Sequence, residues 1–212
     1  MKRLNILFLV AYTPILFLEG LEKSPPQTVL EELMLGNQRA LDNNTLHKNY
    51  LEESRLIGLS KGQLPKAIIV TCSDSRVPPE IIFDQGLGDL FVVRVAGNVV
   101  AEVELESIKY AAFHLKAPLV LVLGHENCGA VDAVLKDNFQ DIPVIAKKIK
   151  NAFAFGSVGK KDSLKKATEV NVSYVVKEVL NADFIKTLKS ENKVDVKGAY
   201  FQISNGKVFL LN

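Results

Sequence analysis

From Lys66 onward, short runs of apolar and β-branched residues alternate with stretches whose apolar positions recur every three or four residues. Lys66–Cys72 (KAIIVTC), Leu90–Val95 (LFVVRV) and Leu119–Leu123 (LVLVL) have the length and composition of buried strands. Between them, Pro78-Pro79 opens a helix running through Ile82, since proline suits a first helical turn. Glu102–Lys116 reads as a helix, with Ala101, Leu105, Ile108, Ala112 and Leu115 on one stripe. Gly129–Leu135 and a longer Asn171–Leu188 follow as helices. Ser204-Asn205-Gly206 is a strong two-strand turn signal near the end. Strand–helix alternation of this kind predicts an α/β fold: a mostly parallel sheet flanked by helices, with right-handed crossovers and a C-terminal edge hairpin.

The start of the chain has a different character. Lys2-Arg3 precede Leu4–Leu18, an apolar stretch broken by Asn5 and Thr13-Pro14. A membrane span needs about 20 such residues, so no stable span is expected. A basic start before a short apolar run fits an export signal, which favours a periplasmic or exported location over a cytoplasmic one. The alternative is an N-terminal helical arm that packs on a partner subunit. Ser24-Pro25-Pro26 then reads as a hinge, and Thr28 with Glu31 has capping-box spacing for a helix carrying Val29 and Leu33 and ending near Gly36-Asn37. The expected organisation is a signal-like or arm segment over residues 1–24 and a single catalytic domain over 25–212. The Glu102–Lys116 helix also carries Val103, Tyr110 and Phe113 off its main stripe. A helix apolar on two sides is buried on two sides, either by a second subunit or within one core.

Composition narrows the function. With 212 residues, 24% charged, 48% apolar and a net charge of +2, the chain can bury a substantial core and has neither the basic excess of a nucleic-acid binder nor the composition of a disordered chain. The lysines from Lys147 to Lys166 read as a solvated helix face and loop.

The candidate chemistry lies in Cys72-Ser73-Asp74-Ser75-Arg76 and His125-Glu126-Asn127-Cys128, which contain both cysteines of the chain. Two thiols and an imidazole suit zinc, and three protein ligands leave a fourth tetrahedral position open. A Cys72–Cys128 disulfide would also satisfy the cysteine count. Cys72 ends the first strand and His125 and Cys128 follow the third, so all three project from the carboxyl edge of a parallel sheet, where such folds place their sites. Cys128 precedes a helix N-terminus that favours its thiolate. Asp74 has two exclusive roles: fourth metal ligand in a closed state, or partner of Arg76 in an open one.

CSDSR, the VRVAGN segment from Val93 to Asn98 and GHENCGA from Gly124 to Ala130 together resemble the β-class carbonic anhydrases, in order and spacing, from about Thr28 to the C-terminus. The resemblance implies a zinc enzyme that interconverts CO2 and bicarbonate as a homodimer, tetramer or larger assembly. It implies one Zn2+ per subunit on Cys72, His125 and Cys128, and an Asp74–Arg76 dyad that orients zinc-bound hydroxide and gates the metal. By the same resemblance Gln63 is a substrate-side glutamine donated across a subunit boundary. Phe91, Tyr110 and Ala96 line an apolar CO2 pocket, and Gly129 supplies a backbone N–H. The absence of tryptophan argues against the inhibitory bicarbonate pocket that some members build around that residue. Two thiolates cancel the metal's charge, so activity is expected to rise above neutral pH. A zinc hydrolase of carbonyl sulfide or carbon disulfide, or a silent zinc scaffold, are the competing readings. His47 is expected to be solvated and His114 to be hydrogen-bonded on a packed helix.

Overall fold

Two strands of almost purely apolar residues organise the molecule, because a strand with no polar face must be covered on both sides. The computed structural model describes residues 23–47, 51 and 53–212, so the segment read as an export signal or arm lies outside the described residues except for Lys23 and Ser24. In chain order the elements are α1 (Pro26–Leu41), α2 (Glu53–Leu59), β1 (Ala67–Thr71), α3 (Pro79–Ile82), β2 (Leu90–Arg94), a 3-10 turn (Ala96–Asn98) and α4 (Glu102–Lys109). A π turn (Tyr110–His114), β3 (Leu119–His125), α5 (Gly129–Leu135), α6 (Pro143–Gly156), α7 (Leu164–Asn181), α8 (Asp183–Ser190), β4 (Asp195–Gln202) and β5 (Lys207–Leu211) follow. The sheet order is β2-β1-β3-β4-β5. The first four strands are parallel, and β5 turns back antiparallel on β4 to form the edge hairpin.

β1 and β3 are buried along their whole length. Ile69, Leu119, Leu121 and Leu123 meet Val29, Leu33, Phe83, Val131 and Ile149 on one face. Ile68, Val70, Val120 and Val122 meet Ile108, Val172, Val175 and Ile185 on the other. Each such side chain, fully buried, contributes about 1.5–3 kcal/mol. The α/β architecture with a mostly parallel sheet is therefore the one the apolar pattern predicts. No helix among the described residues is long and apolar enough to cross a membrane.

Several local expectations are corrected. α1 starts at Pro26, with proline at its first turn and no side-chain cap, so the Thr28–Glu31 capping box does not form. Pro26 is thus a helix starter rather than part of a hinge. The same helix runs past Asn37 to Leu41. Asn37 is a buried packing residue whose amide donates to the Ile82 and Gly206 carbonyls and whose oxygen accepts from the Val208 N–H. The single helix expected over Glu102–Lys116 widens out of α geometry at Tyr110, where the π turn begins. The one expected over Asn171–Leu188 starts earlier, at Leu164, and is broken at Ala182, whose extended backbone separates α7 from α8. The lysine-rich stretch read as a solvated helix face and loop is indeed the outer side of α6 and the loop after it, and α6 buries Ala146, Ile149 and Ala152 on its other side.

Gly36 marks where α1 rests on the loop after α3. A Cβ there would lie 1.8 Å from the Phe83 carbonyl oxygen and 2.8 Å from its carbon, a clash with backbone that no rotamer relieves. Gly36→Ala is expected to cost at least the ~1–3 kcal/mol typical of overpacking. Urea denaturation measures it, and wild-type stability in the variant would refute this contact.

Candidate metal centre

The parallel register brings the two halves of the constellation to one edge. Thr71 lies opposite Leu123, so Cys72, the first residue beyond β1, and His125, the last residue of β3, leave the sheet side by side. His125 therefore sits on the strand, not after it as the sequence suggested. Cys128 is the N-cap of α5, reached through a turn in which Asn127 takes a left-handed backbone (φ 53°), a conformation asparagine tolerates. The sulfurs of Cys72 and Cys128 and a ring nitrogen of His125 all lie within 4.8 Å of one another, and all three residues are buried. Neither cysteine is in a disulfide.

This donor set fits zinc. The Nδ1 of His125 is 2.9 Å from the Glu126 carbonyl oxygen, which makes Nδ1 the protonated nitrogen. Nε2 then carries the lone pair, and it is buried with no hydrogen-bond partner among the described residues. An orphaned imidazole nitrogen facing two sulfurs is what a metal ligand set requires. The hydrogen bond from Cys128 lowers Cys72 against the cost of burial, and His125 and the amides of Asp74 and Gly97 also favour its thiolate. Cys128 is pushed up, first by its bond to Cys72 and then by burial, while the Ala130 and Val131 amides pull the other way. A divalent cation bound by both cysteines releases their thiol protons and leaves both sulfurs ionised.

Asp74 is engaged by Arg76. The guanidinium donates through Nε to Oδ1 (2.9 Å) and through Nη2 to Oδ2 (2.7 Å), and the Arg76 backbone N–H donates to Oδ1 (3.0 Å). These bonds, the side-chain ones first, hold the carboxyl well below the usual carboxylate range. Oδ2 lies 3.9 Å from His125 Nε2, beside the ligand set. Arg76 Nη2 also reaches the Asn127 carbonyl at 3.2 Å, tying the two motifs together. Arg94, which the sequence reading passed over, clamps the same loop: Nε donates to the Cys72 carbonyl (3.0 Å) and Nη2 to that of Asp74 (2.6 Å). A lone arginine inside the apolar run LFVVRV was the available signal.

Other candidate residues fall in two groups. Ala96 is half-buried in the turn that delivers the Gly97 N–H to Cys72 Sγ at 3.3 Å. Gly129 is exposed at the first position of α5, with open space where a Cβ would be. Gln63, Phe91 and Tyr110 are elsewhere in the chain. Gln63 is exposed just before β1 and the ligands follow it, so a strand of about 17 Å separates them at ~3.3 Å per residue. Phe91 pairs with Ile68, four residues or ~13 Å before Cys72. Its ring lies 6.2 Å from that of Tyr110, which is exposed together with Val103 and Phe113. His114 is exposed and stacked between Tyr110 and Phe113, its ring 5.5 Å and 6.0 Å from theirs, rather than hydrogen-bonded within a packed helix. His47 is partly buried near Asp89 rather than fully solvated.

Comparison with known proteins places this geometry. A family profile described as carbonic anhydrase matches residues 67–208. The chain is 35% identical over 192 residues to carbonic anhydrase 2 of Mycobacterium tuberculosis, covering 87% of this chain and 92% of that one. It is 48% identical over 112 residues to a carbonic anhydrase of Mycolicibacterium smegmatis, covering 53% and 54%. Among solved structures, the β-carbonic anhydrase CcaA superposes with a TM-score of 0.69 at 25% identity, covering 86% of this chain and 95% of that one. Tetrameric β-carbonic anhydrases of Sordaria macrospora give a TM-score of 0.66 at 26% identity, covering 74% and 85%. With its sheet, its Cys-His-Cys cluster and these relatives in agreement, the chain belongs to the β-class carbonic anhydrase family.

Proposed function

We propose that this protein catalyses the reversible hydration of CO2 to bicarbonate and a proton at one zinc ion per chain, held by Cys72, His125 and Cys128. The observation that carries the proposal is the orphaned Nε2 of His125 facing two sulfurs beside a carboxylate that Arg76 has already claimed. Zinc bound there supplies Lewis acidity and makes water nucleophilic near neutral pH.

The chain's own residues supply orientation. Arg76 occupies both oxygens of Asp74, so the carboxylate does not close the site as a fourth ligand in this arrangement. The remaining lone pair of Asp74, on Oδ2, accepts a hydrogen bond from the attacking water and fixes its direction. Arg94 keeps the Asp74 backbone in place for this task. The exposed Gly129 N–H at the start of α5 faces the product's oxygen, and Ala96 forms a small apolar wall.

Gln63, Phe91 and Tyr110 reach a site only from a second copy, because a strand length parts them from the ligands of their own chain. The exposed Val103, Tyr110 and Phe113 provide an apolar face for that copy, so the working unit is a homodimer or a tetramer built from it. Residues 25–212 act as one catalytic domain.

Stopped-flow CO2 hydration on both sides of neutrality, with metal analysis of the same sample, tests the proposal. The expected result is hydration proportional to bound zinc. Zinc-loaded protein that leaves CO2 unhydrated, or that turns over only carbonyl sulfide or carbon disulfide, overturns it.

A further inference from the structure

Asn171 is out of place by composition. It is 1% exposed on α7, among Ala167, Val172, Val175 and Val179. An amide in such a setting costs about 1–3 kcal/mol unless its hydrogen bonds are made, and a leucine would fill the space without that cost. Its Oδ1 has no partner among the described residues. Its Nδ2 makes one buried bond, 2.8 Å to the carbonyl oxygen of Gly97.

Gly97 is the residue whose own N–H donates to Cys72 Sγ. It has a left-handed backbone (φ 70°), followed by a second left-handed residue, Asn98 (φ 44°), and its Cα is pressed against α5 and α6. A Cβ there would lie 3.0 Å from Ile149 Cδ1 and 3.3 Å from Ala130 Cβ. Two consecutive residues in this region hold their conformation only when their surroundings over-determine it. Packing fixes the position of Gly97, and rotation of the peptide that carries its carbonyl is opposed by two directional contacts: the Asn98 N–H, which donates to the Val95 carbonyl within the turn (2.8 Å), and the amide of Asn171, the one that reaches the carbonyl itself from α7.

We infer that Asn171 is a positioning residue for the metal centre: its amide pins the Gly97 carbonyl, so that the Gly97 N–H stays aimed at the Cys72 sulfur. The inference rests on the zinc reading of the Cys72-His125-Cys128 cluster. Groups that orient a ligand from behind typically govern metal affinity by about 10–100-fold. Asn171 acts in this way from a helix that supplies no ligand, through one glycine.

The test measures zinc affinity of the full chain by competition with a chromophoric chelator, and the thiolate-to-metal absorption of the cobalt-substituted protein. Asn171→Leu and Asn171→Ser are compared with Thr168→Val, a change one turn earlier at a buried hydroxyl that bonds within its own helix to Leu164 O. The expected result is a loss of zinc affinity of about tenfold or more in Asn171→Leu. An altered cobalt–thiolate band accompanies it, with neither change in Thr168→Val. Wild-type affinity and spectrum in folded Asn171→Leu overturn the inference, as does an equal loss in Thr168→Val. If both Asn171 variants fail to fold without metal while Thr168→Val folds, Asn171 supports the core rather than the sulfur, and the inference also fails. A wild-type protein that binds no zinc in this assay overturns the metal reading itself, a result distinct from the others.

Discussion

Asp74→Asn is expected to slow CO2 hydration by about 10²–10⁴-fold while the protein retains one zinc per chain. The substitution keeps the shape of the side chain and removes its charge. Asp74 now serves three donors from Arg76, with Oδ1 accepting two of them and Oδ2 the third. An amide has one acceptor oxygen, so placing it at the Oδ1 position leaves an NH2 group where the water-orienting lone pair of Oδ2 was. Turning it the other way sets donor against donor. Zinc content is unaffected because none of the three ligands changes. Stopped-flow kcat/KM and metal analysis on the same preparation decide the matter. An unchanged rate removes Asp74 from the mechanism, and loss of zinc would make Asp74 a ligand. Arg76→Ala attacks the same pair from the other side: it frees a carboxylate whose Oδ2 is 3.9 Å from His125 Nε2 to move onto the cation. The two residues act as one unit, so the double variant is expected to be no slower than the slower single variant.

That pair was legible in the sequence because its members lie two residues apart, next to a ligand cysteine. The same locality explains what else could be read. β1 and β3 came from apolar runs buried on both faces, β2 from a similar run that lies half-buried at the sheet edge, and α5 was bounded by its own N-terminal glycine. What could not be read depends on contacts between distant segments. Asn37 reads as a helix stop by local propensity, yet it lies inside α1 because the Ile82, Gly206 and Val208 backbones need its amide. The break at Ala182 carries no proline or glycine. The lysines from Lys147 onward read as one face of a helix, but the bounds of α6 and its buried stripe of Ala146, Ile149 and Ala152 were not read with them. Asn171 reads as the start of a helix, and only the fold brings the Gly97 carbonyl to its amide across 74 positions. Gln63, Phe91 and Tyr110 were recognised by resemblance; the register sets Phe91 about four residues back from Cys72, Tyr110 lies against Phe91, and Gln63 precedes the whole of β1.

Cys128→Ser is expected to reduce zinc from one per chain to near none after dialysis against a weak chelator, and CO2 hydration to the buffer rate. Serine is a favourable N-cap, and Cys128 occupies the N-cap of α5. The variant therefore retains its helix, and its loss of metal reflects chemistry rather than unfolding. A thiolate is the form that binds zinc, and a serine hydroxyl does not ionise under the same conditions. Near-native far-UV circular dichroism together with lost zinc is the expected combination. The wild-type protein supplies the matching experiment. Chelation should remove both metal and activity, and zinc added back under non-oxidising conditions should restore them. Zinc and activity retained by Cys128→Ser would remove this sulfur from the ligand set. Activity of the chelated wild type that returns on adding a thiol reductant and not on adding zinc would mean that Cys72 and Cys128 operate as a redox pair, because the atoms that a cation holds apart would then be joined to each other.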